Sequence, residues 1–123
     1  MRISVIDDDP IFLNQVARFA KTRGIETNLI LNFEEANIEK LRDSDLIIID
    51  YYLGSVTGNV LIDYFDYFSF ERPIVMVSSK DKPNMTETLT PGNIYFVTKK
   101  HGAFHIVAKS EEIYRNLSRL TAC

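Results

Sequence analysis

Cysteine is nearly absent from this sequence: the one thiol is Cys123, the last of 123 residues. A lone cysteine closes no intrachain disulfide and rules out a cysteine-based metal site, and such scarcity fits a reducing, cytoplasmic setting. Tryptophan is missing, and glycine (5) and proline (4) are few, which excludes collagen-like and low-complexity chains. Neither sign of charge dominates. Fourteen Lys+Arg stand against seventeen Asp+Glu, a net −3, so no broad basic footprint for nucleic acid or an anionic membrane is expected. No apolar run approaches membrane-spanning length, and an N-terminus of Arg2, a short apolar run and three aspartates is no signal peptide. What remains is ordinary globular usage, 46% hydrophobic and 25% charged. A chain of this size buries roughly 65–70% of the surface it exposes when unfolded. The expectation is one domain spanning 1–123.

Along the chain, Ile3 to Ile6 reads as a short buried strand, and Asp9-Pro10 as a helix start with Asp as N-cap and Pro at the first helical position. Ile11, Phe12, Val16, Phe19 and Ala20 recur at helical spacing, and Gly24 is placed to end that helix. Thr27 to Leu31 predicts a second strand, Glu34 to Leu41 a more polar helix, and Leu46 to Ile49 a third strand buried on both faces. After Asp50 a Gly-containing loop leads to an apolar and aromatic helix, Asn59 to Phe68, then a strand at Ile74 to Val77. Pro83, Pro91 and Gly92 limit any helix between 80 and 92 to about two turns. Ile94 to Val97 predicts a fifth strand and Glu111 to Leu120 a last helix capped by Ser110. Strands that alternate with helices pair in parallel. The predicted fold is α/β: a flavodoxin-like, doubly wound, five-stranded parallel sheet of order 2-1-3-4-5 with helices on both faces.

In such sheets ligands bind beyond the carboxyl ends of the strands, where strand order reverses. The first strand ends in Asp7, Asp8 and Asp9, the third in Asp50, the fourth in Ser78 and Ser79, the fifth in Thr98 and Lys99. Strands one and three are neighbours at the switch point, so Asp7 and Asp8 face Asp50. Two carboxylates 4 Å apart repel by about 4 kcal/mol at an effective dielectric of 20. A hard divalent cation with oxygen ligands offsets this, and Mg²⁺ suits a site that keeps positions open for water or phosphate. With the hydroxyl of Ser78 and the ammonium of Lys99, the set describes phosphoryl transfer to Asp50 as nucleophile.

Four strings carry a family resemblance: Ser4-Val-Ile-Asp-Asp-Asp-Pro10, Leu46-Ile-Ile-Ile-Asp-Tyr-Tyr-Leu-Gly-Ser-Val-Thr-Gly58, Pro73-Ile-Val-Met-Val-Ser-Ser79 and Tyr95-Phe-Val-Thr-Lys99. In this order the sequence resembles, over nearly its whole length, the receiver domain of two-component response regulators, of the stand-alone type with no output domain. The resemblance implies a signalling phosphoacceptor rather than an enzyme, loaded on Asp50 from a phosphohistidine of a histidine kinase or phosphotransfer protein. It implies Mg²⁺ held by Asp7, Asp8, Asp50 and the backbone carbonyl of Tyr52. Ser78 and Lys99 would bind the phosphoryl group, and Phe96 would be the aromatic switch, Tyr95 being sent to the opposite face by strand alternation. Tyr52 and Lys80 would tune hydrolysis. A downstream protein partner would read the face made by the fourth helix, fifth strand and fifth helix.

The sequence also departs from that family. Lys100 follows Lys99 where the family has proline after a cis peptide, so a trans bond is expected. The connection from Lys100 to Lys109 reads as a lengthened loop that alters the output face. Tyr52 stands where smaller polar residues are frequent, and its ring could shield an acyl phosphate from water.

Simpler readings stand beside these. Asp9 needs no role beyond capping; Ser78 could bond backbone in a turn, and Lys99 could be a solvated strand end. The aromatic group Tyr64, Phe65, Tyr67, Phe68 and Phe70 reads first as core with hydroxyls reaching water. His101 and His105 read as loop residues. One rival function is a phosphatase of the haloacid dehalogenase type, with Asp7 as nucleophile and Asp9 as acid. It needs carboxylates at a strand end after the lysine, where only Glu111 and Glu112 follow in a predicted helix, and it leaves Asp50 unexplained. Another is a receiver-like binding module that signals without phosphorylation.

Overall fold

The computed structural model describes residues 1–33, 37–53, 56–79 and 93–121. The chain runs β1 (Arg2–Ile6), α1 (Pro10–Thr22), β2 (Glu26–Ile30), α2 (Ile38–Leu41), β3 (Leu46–Asp50), β4 (Tyr52–Leu53), β5 (Val56–Thr57), α3 (Gly58–Tyr67), β6 (Ile74–Ser78), β7 (Ile94–Thr98), a 3₁₀ turn (Lys99–His101) and α4 (Gly102–Thr121). Five strands form one parallel sheet of order β2-β1-β3-β6-β7. This is the predicted 2-1-3-4-5 arrangement once the two short strands β4 and β5 are set aside.

The central strands β3 and β6 are buried at every position, as runs of apolar residues require when helices cover both faces. Alternation divides their side chains. Leu46, Ile48, Val75 and Val77 pack with Phe12, Leu13 and Val16 of α1 and Ala103, Ile106 and Val107 of α4, while Ile47, Ile49, Ile74 and Met76 pack with Leu61, Ile62 and Phe65 of α3. Helix α1 begins as its sequence dictates: Asp9 Oδ1 accepts from the Ile11 amide at 3.0 Å and Pro10 occupies the first turn. Gly24, at φ 71°, carries the chain out of the helix in the left-handed conformation that glycine tolerates best.

Several expectations are corrected. The second strand is Glu26–Ile30, leaving Leu31 outside it and exposed. The second helix begins only at Ile38, because Asn37 is extended and its side chain accepts from the Glu39 amide at 2.9 Å as an N-cap. Residues 34–36 of that prediction lie outside the described residues, as do the short helix between 80 and 92 and Lys80. The aromatic helix is Gly58–Tyr67, shifted by one residue. Within the group predicted as core, Phe65 and Phe70 are buried, but Tyr67 is 81% exposed. The loop after Asp50 contains a small antiparallel pair, Tyr52 opposite Thr57 and Leu53 opposite Val56.

The largest correction concerns residues 100–109. No long loop follows Lys99: one 3₁₀ turn leads into α4, a helix of 20 residues that swallows the predicted connection. Ser110 is therefore no cap. It is buried in mid-helix and its hydroxyl donates to Ile106 O at 2.7 Å. The buried stripe Ala103, Ile106, Val107, Ser110 and Ile113 has helical spacing, and burying it requires the helix to start early. His105 is thus helical, its ring centroid 5.1 Å from that of His101. The Lys99–Lys100 bond is trans as expected, since no cis peptide occurs among the described residues.

Candidate phosphoryl-acceptor site

The parallel register delivers the polar strand ends to one crevice. In the ladder Ile6 lies opposite Ile49 and Asp50 opposite Val77, so Asp7, Asp50 and Ser78 emerge at one level of the sheet. Asp7, Asp8 and Asp50 each offer a carboxylate oxygen within 4.8 Å of the others; Asp7 and Asp50 are buried and Asp8 is exposed. The first turn of α1 fixes Asp7, whose Oδ1 accepts from the Asp9 amide at 2.9 Å. Its own amide donates to Ile30 O at 3.0 Å. Asp50 Oδ1 accepts from the Tyr52 amide at 3.3 Å, and the Tyr51 amide donates to Val77 O at 2.8 Å.

Lys99 closes the crevice from the end of β7. Its Nζ donates to Asp7 Oδ2 at 2.6 Å and lies 3.3 Å from Asp50 Oδ2. Burial raises the Asp50 carboxyl above its ordinary value, with Asp7 adding to the shift and Lys99 opposing it. For Lys99 burial acts to lower the value, but the bonds and charges of Asp7 and Asp50 together outweigh it and hold the ammonium above its ordinary range. Three hard carboxylates against one lysine leave an excess of negative charge among oxygen donors, the chemistry that Mg²⁺ matches. The donor set fits that ion.

Of the remaining described residues named from the sequence, only some lie at this end of the sheet. Ser78 is buried at the end of β6, and Tyr52 is half-buried beside Tyr51, ring centroids 4.7 Å apart. Phe96 and Tyr95 point to opposite faces: Tyr95 packs against the core under α1 and α4, whereas Phe96 is 40% exposed. Asp9 is occupied as the helix cap, and Glu111 sits far along α4, bonded to Arg23. One contact had no counterpart in the sequence reading. Phe12, assigned only to the core stripe of α1, presents its ring to Lys99, with Nζ 4.5 Å from the centroid. Its position one helical turn after Asp8 was the available signal.

A doubly wound α/β domain with an acidic, lysine-bridged crevice at its switch point is a narrow class. The sequence pattern of the response regulator receiver domain matches residues 3–111, and the chain belongs to that family. Solved structures agree in fold. The N-terminal domain of a response regulator/sensory box/GGDEF 3-domain protein from Carboxydothermus hydrogenoformans is 21% identical, with TM-score 0.78 and 100% of both chains covered. A receiver domain protein from Clostridium thermocellum is 16% identical, with TM-score 0.79 and coverage of 97% of this chain and 98% of that one. A CheY-like receiver domain protein from Methanospirillum hungatei is 16% identical, with TM-score 0.77 and 96% of each covered. Comparison with curated proteins gives no match. Among the described residues no helix is long and apolar enough to cross a membrane.

Proposed function

We propose that this receiver domain takes a phosphoryl group on Asp50 from a phosphohistidine and uses it to switch protein contacts. The observation that carries the reading is the convergence of Asp7, Asp8 and Asp50 within 4.8 Å beside Lys99 at the switch point. In the transfer, an Asp50 carboxylate oxygen forms the new O–P bond as the donor's P–N bond breaks, and the imidazole leaves with the electron pair and takes up a proton. Asp7, Asp8, Asp50 and the Tyr52 carbonyl would hold Mg²⁺, which supplies positive charge against the phosphoryl oxygens. Lys99 supplies a fixed charge of the same kind, and the Ser78 hydroxyl a donor. Phe96, exposed on β7, is the aromatic ring free to turn inward when Ser78 engages the phosphoryl group. The donor is a histidine kinase or phosphotransfer protein in the cytoplasm, and the recipient of the signal a protein that docks on the face containing β7 and α4.

The rivals are weaker on specific grounds. The phosphatase reading asks Asp9 for a catalytic acid, but its Oδ1 caps α1 by accepting from the Ile11 amide, and the carboxylates that converge are those of Asp7, Asp8 and Asp50. The binding-module reading leaves a buried carboxylate pair with no task. Intact-mass measurement after incubation with Mg²⁺ and a small phosphoramidate separates the three. A single adduct that disappears in Asp50→Asn supports the acceptor. Steady phosphate release that depends on Asp7 supports the phosphatase, and no adduct supports the binding module.

A further inference from the structure

Lys99 has three N–H donors, and the carboxylates account for two directions: Asp7 Oδ2 at 2.6 Å and Asp50 Oδ2 at 3.3 Å. The ring of Phe12 lies on a third side, 4.5 Å from Nζ to centroid. That is well inside the reach of about 6 Å at which an ammonium is drawn to an aromatic face, and the attraction grows when the cation is desolvated. Lys99 is largely desolvated, its side chain 19% exposed. Phe12 is itself immobilised, buried in the core stripe of α1 two residues after Pro10. The same helix start fixes Asp7 through the Asp9 amide. Asp7 and Phe12 are therefore two rigid walls built by one turn of chain.

We infer that Phe12 is a positioning residue, whose ring face and Asp7 together seat the Lys99 ammonium beside Asp50 ready for a phosphoryl oxygen. The inference rests on the reading of Asp50 as phosphoacceptor and adds a residue to it. An apolar packing role alone would ask only for a side chain of suitable volume, which leucine supplies; the seat asks for an aromatic face. Without that face the long lysine stem samples other rotamers and water reaches the ammonium, so the charge is less well placed as the O–P bond forms.

The test compares the full chain with Phe12→Leu and Phe12→Tyr at saturating Mg²⁺. In the wild type the Lys99 ε-methylene protons should show an upfield ring-current shift that Phe12→Leu abolishes and Phe12→Tyr keeps. Phosphorylation of Asp50 by a small phosphoramidate should slow roughly three- to tenfold in Phe12→Leu, the size expected for losing one such contact. Phe12→Tyr should stay close to the wild type in both rate and Mg²⁺ affinity. Unshifted Lys99 resonances in the wild type would overturn the proposal even if neither variant folds. So would a wild-type rate in folded Phe12→Leu. Absence of any adduct on the wild type would instead sink the phosphoacceptor reading, while the ring-current shift would still decide whether the seat exists.

Discussion

Lys99 bonds more closely to Asp7 than to Asp50, at 2.6 Å against 3.3 Å, and Asp7 is wholly buried. Asp7 is compensated by this ammonium at Oδ2 and by the Asp9 amide at Oδ1, and only the ammonium carries a full charge. Replacing one partner of a buried pair strands the other charge and costs about 3–5 kcal/mol. Lys99→Met should therefore lower the unfolding free energy by about 3 kcal/mol in chelator. Added Mg²⁺ should restore more stability to the variant than it gives the wild type, since a ligand that binds only the folded state stabilises it. Urea denaturation with and without Mg²⁺ measures both, and equal Mg²⁺ gains in the two proteins would count against the linkage.

Asp50 carries the opposite sign. Burial raises its carboxyl above the ordinary value, so the folded state binds that proton more tightly than the unfolded chain does. Stability then falls as pH climbs from the ordinary Asp value through the raised one, and above that window the charged form is a standing cost. Asp50→Asn removes the charge while keeping the shape. In chelator at neutral pH its melting temperature should exceed the wild type's by about 3–5 °C, and the gap should close on acidification below the window. A variant that melts below the wild type at neutral pH would refute the assignment.

The sequence made the placement of Asp7, Asp8, Asp50, Ser78 and Lys99 legible because each lies at or just past the end of a mainly apolar strand. In a parallel sheet such runs fix both the strand and the level at which it stops. The start of α1 was equally plain, since Asp9-Pro10 has one local meaning. The stretch from Lys100 to Lys109 misled for an equally local reason. Gly102, at φ 87°, and a serine followed by two glutamates look like a break and a fresh helix start. Burial of Ala103, Ile106, Val107 and Ser110 against the sheet and α1 overrode that signal, so the capping serine became a core hydroxyl. That Lys99 rests on Asp7 and Phe12 depends on side-chain rotamers and on distances between α1 and β7, which no spacing along the chain encodes.

Tyr52 is tied down at the mouth of the crevice. Its amide bonds to Asp50 Oδ1 at 3.3 Å, it pairs with Thr57 across the small hairpin, and its ring rests edge-on against Tyr51. If phosphorylation of Asp50 is its function, a ring carried on the backbone that bonds the acceptor is expected to limit the approach of hydrolytic water to the acyl phosphate. Tyr52→Asn should speed loss of the phosphoryl group roughly three- to tenfold, about 1 kcal/mol of barrier. Following phosphate release after removal of the donor measures it. An unchanged decay would mean the ring does not shield the site.

Away from the crevice, Arg23 at the end of α1 grips Glu111 in the middle of α4, two guanidinium nitrogens reaching Oε1 at 2.9 and 2.5 Å. The Arg23 bond pulls the Glu111 carboxyl below its ordinary value, burial resists, and the nearby charge of Arg115 assists. A carboxylate with a depressed folded-state pKa contributes stability that is present above its unfolded value and lost as pH falls through the folded one. Arg23 is about one-third exposed and Arg115 two-thirds, so solvent screens part of the attraction. Glu111→Gln should cost about 1–2 kcal/mol at neutral pH, less than a fully buried pair would. The difference between variant and wild type should shrink steadily as pH falls from the ordinary glutamate value through the depressed one, where the wild-type carboxylate takes up its proton. Urea titrations across that range check the sign: a gap that stays constant would assign the contact to packing between α1 and α4 rather than to charge.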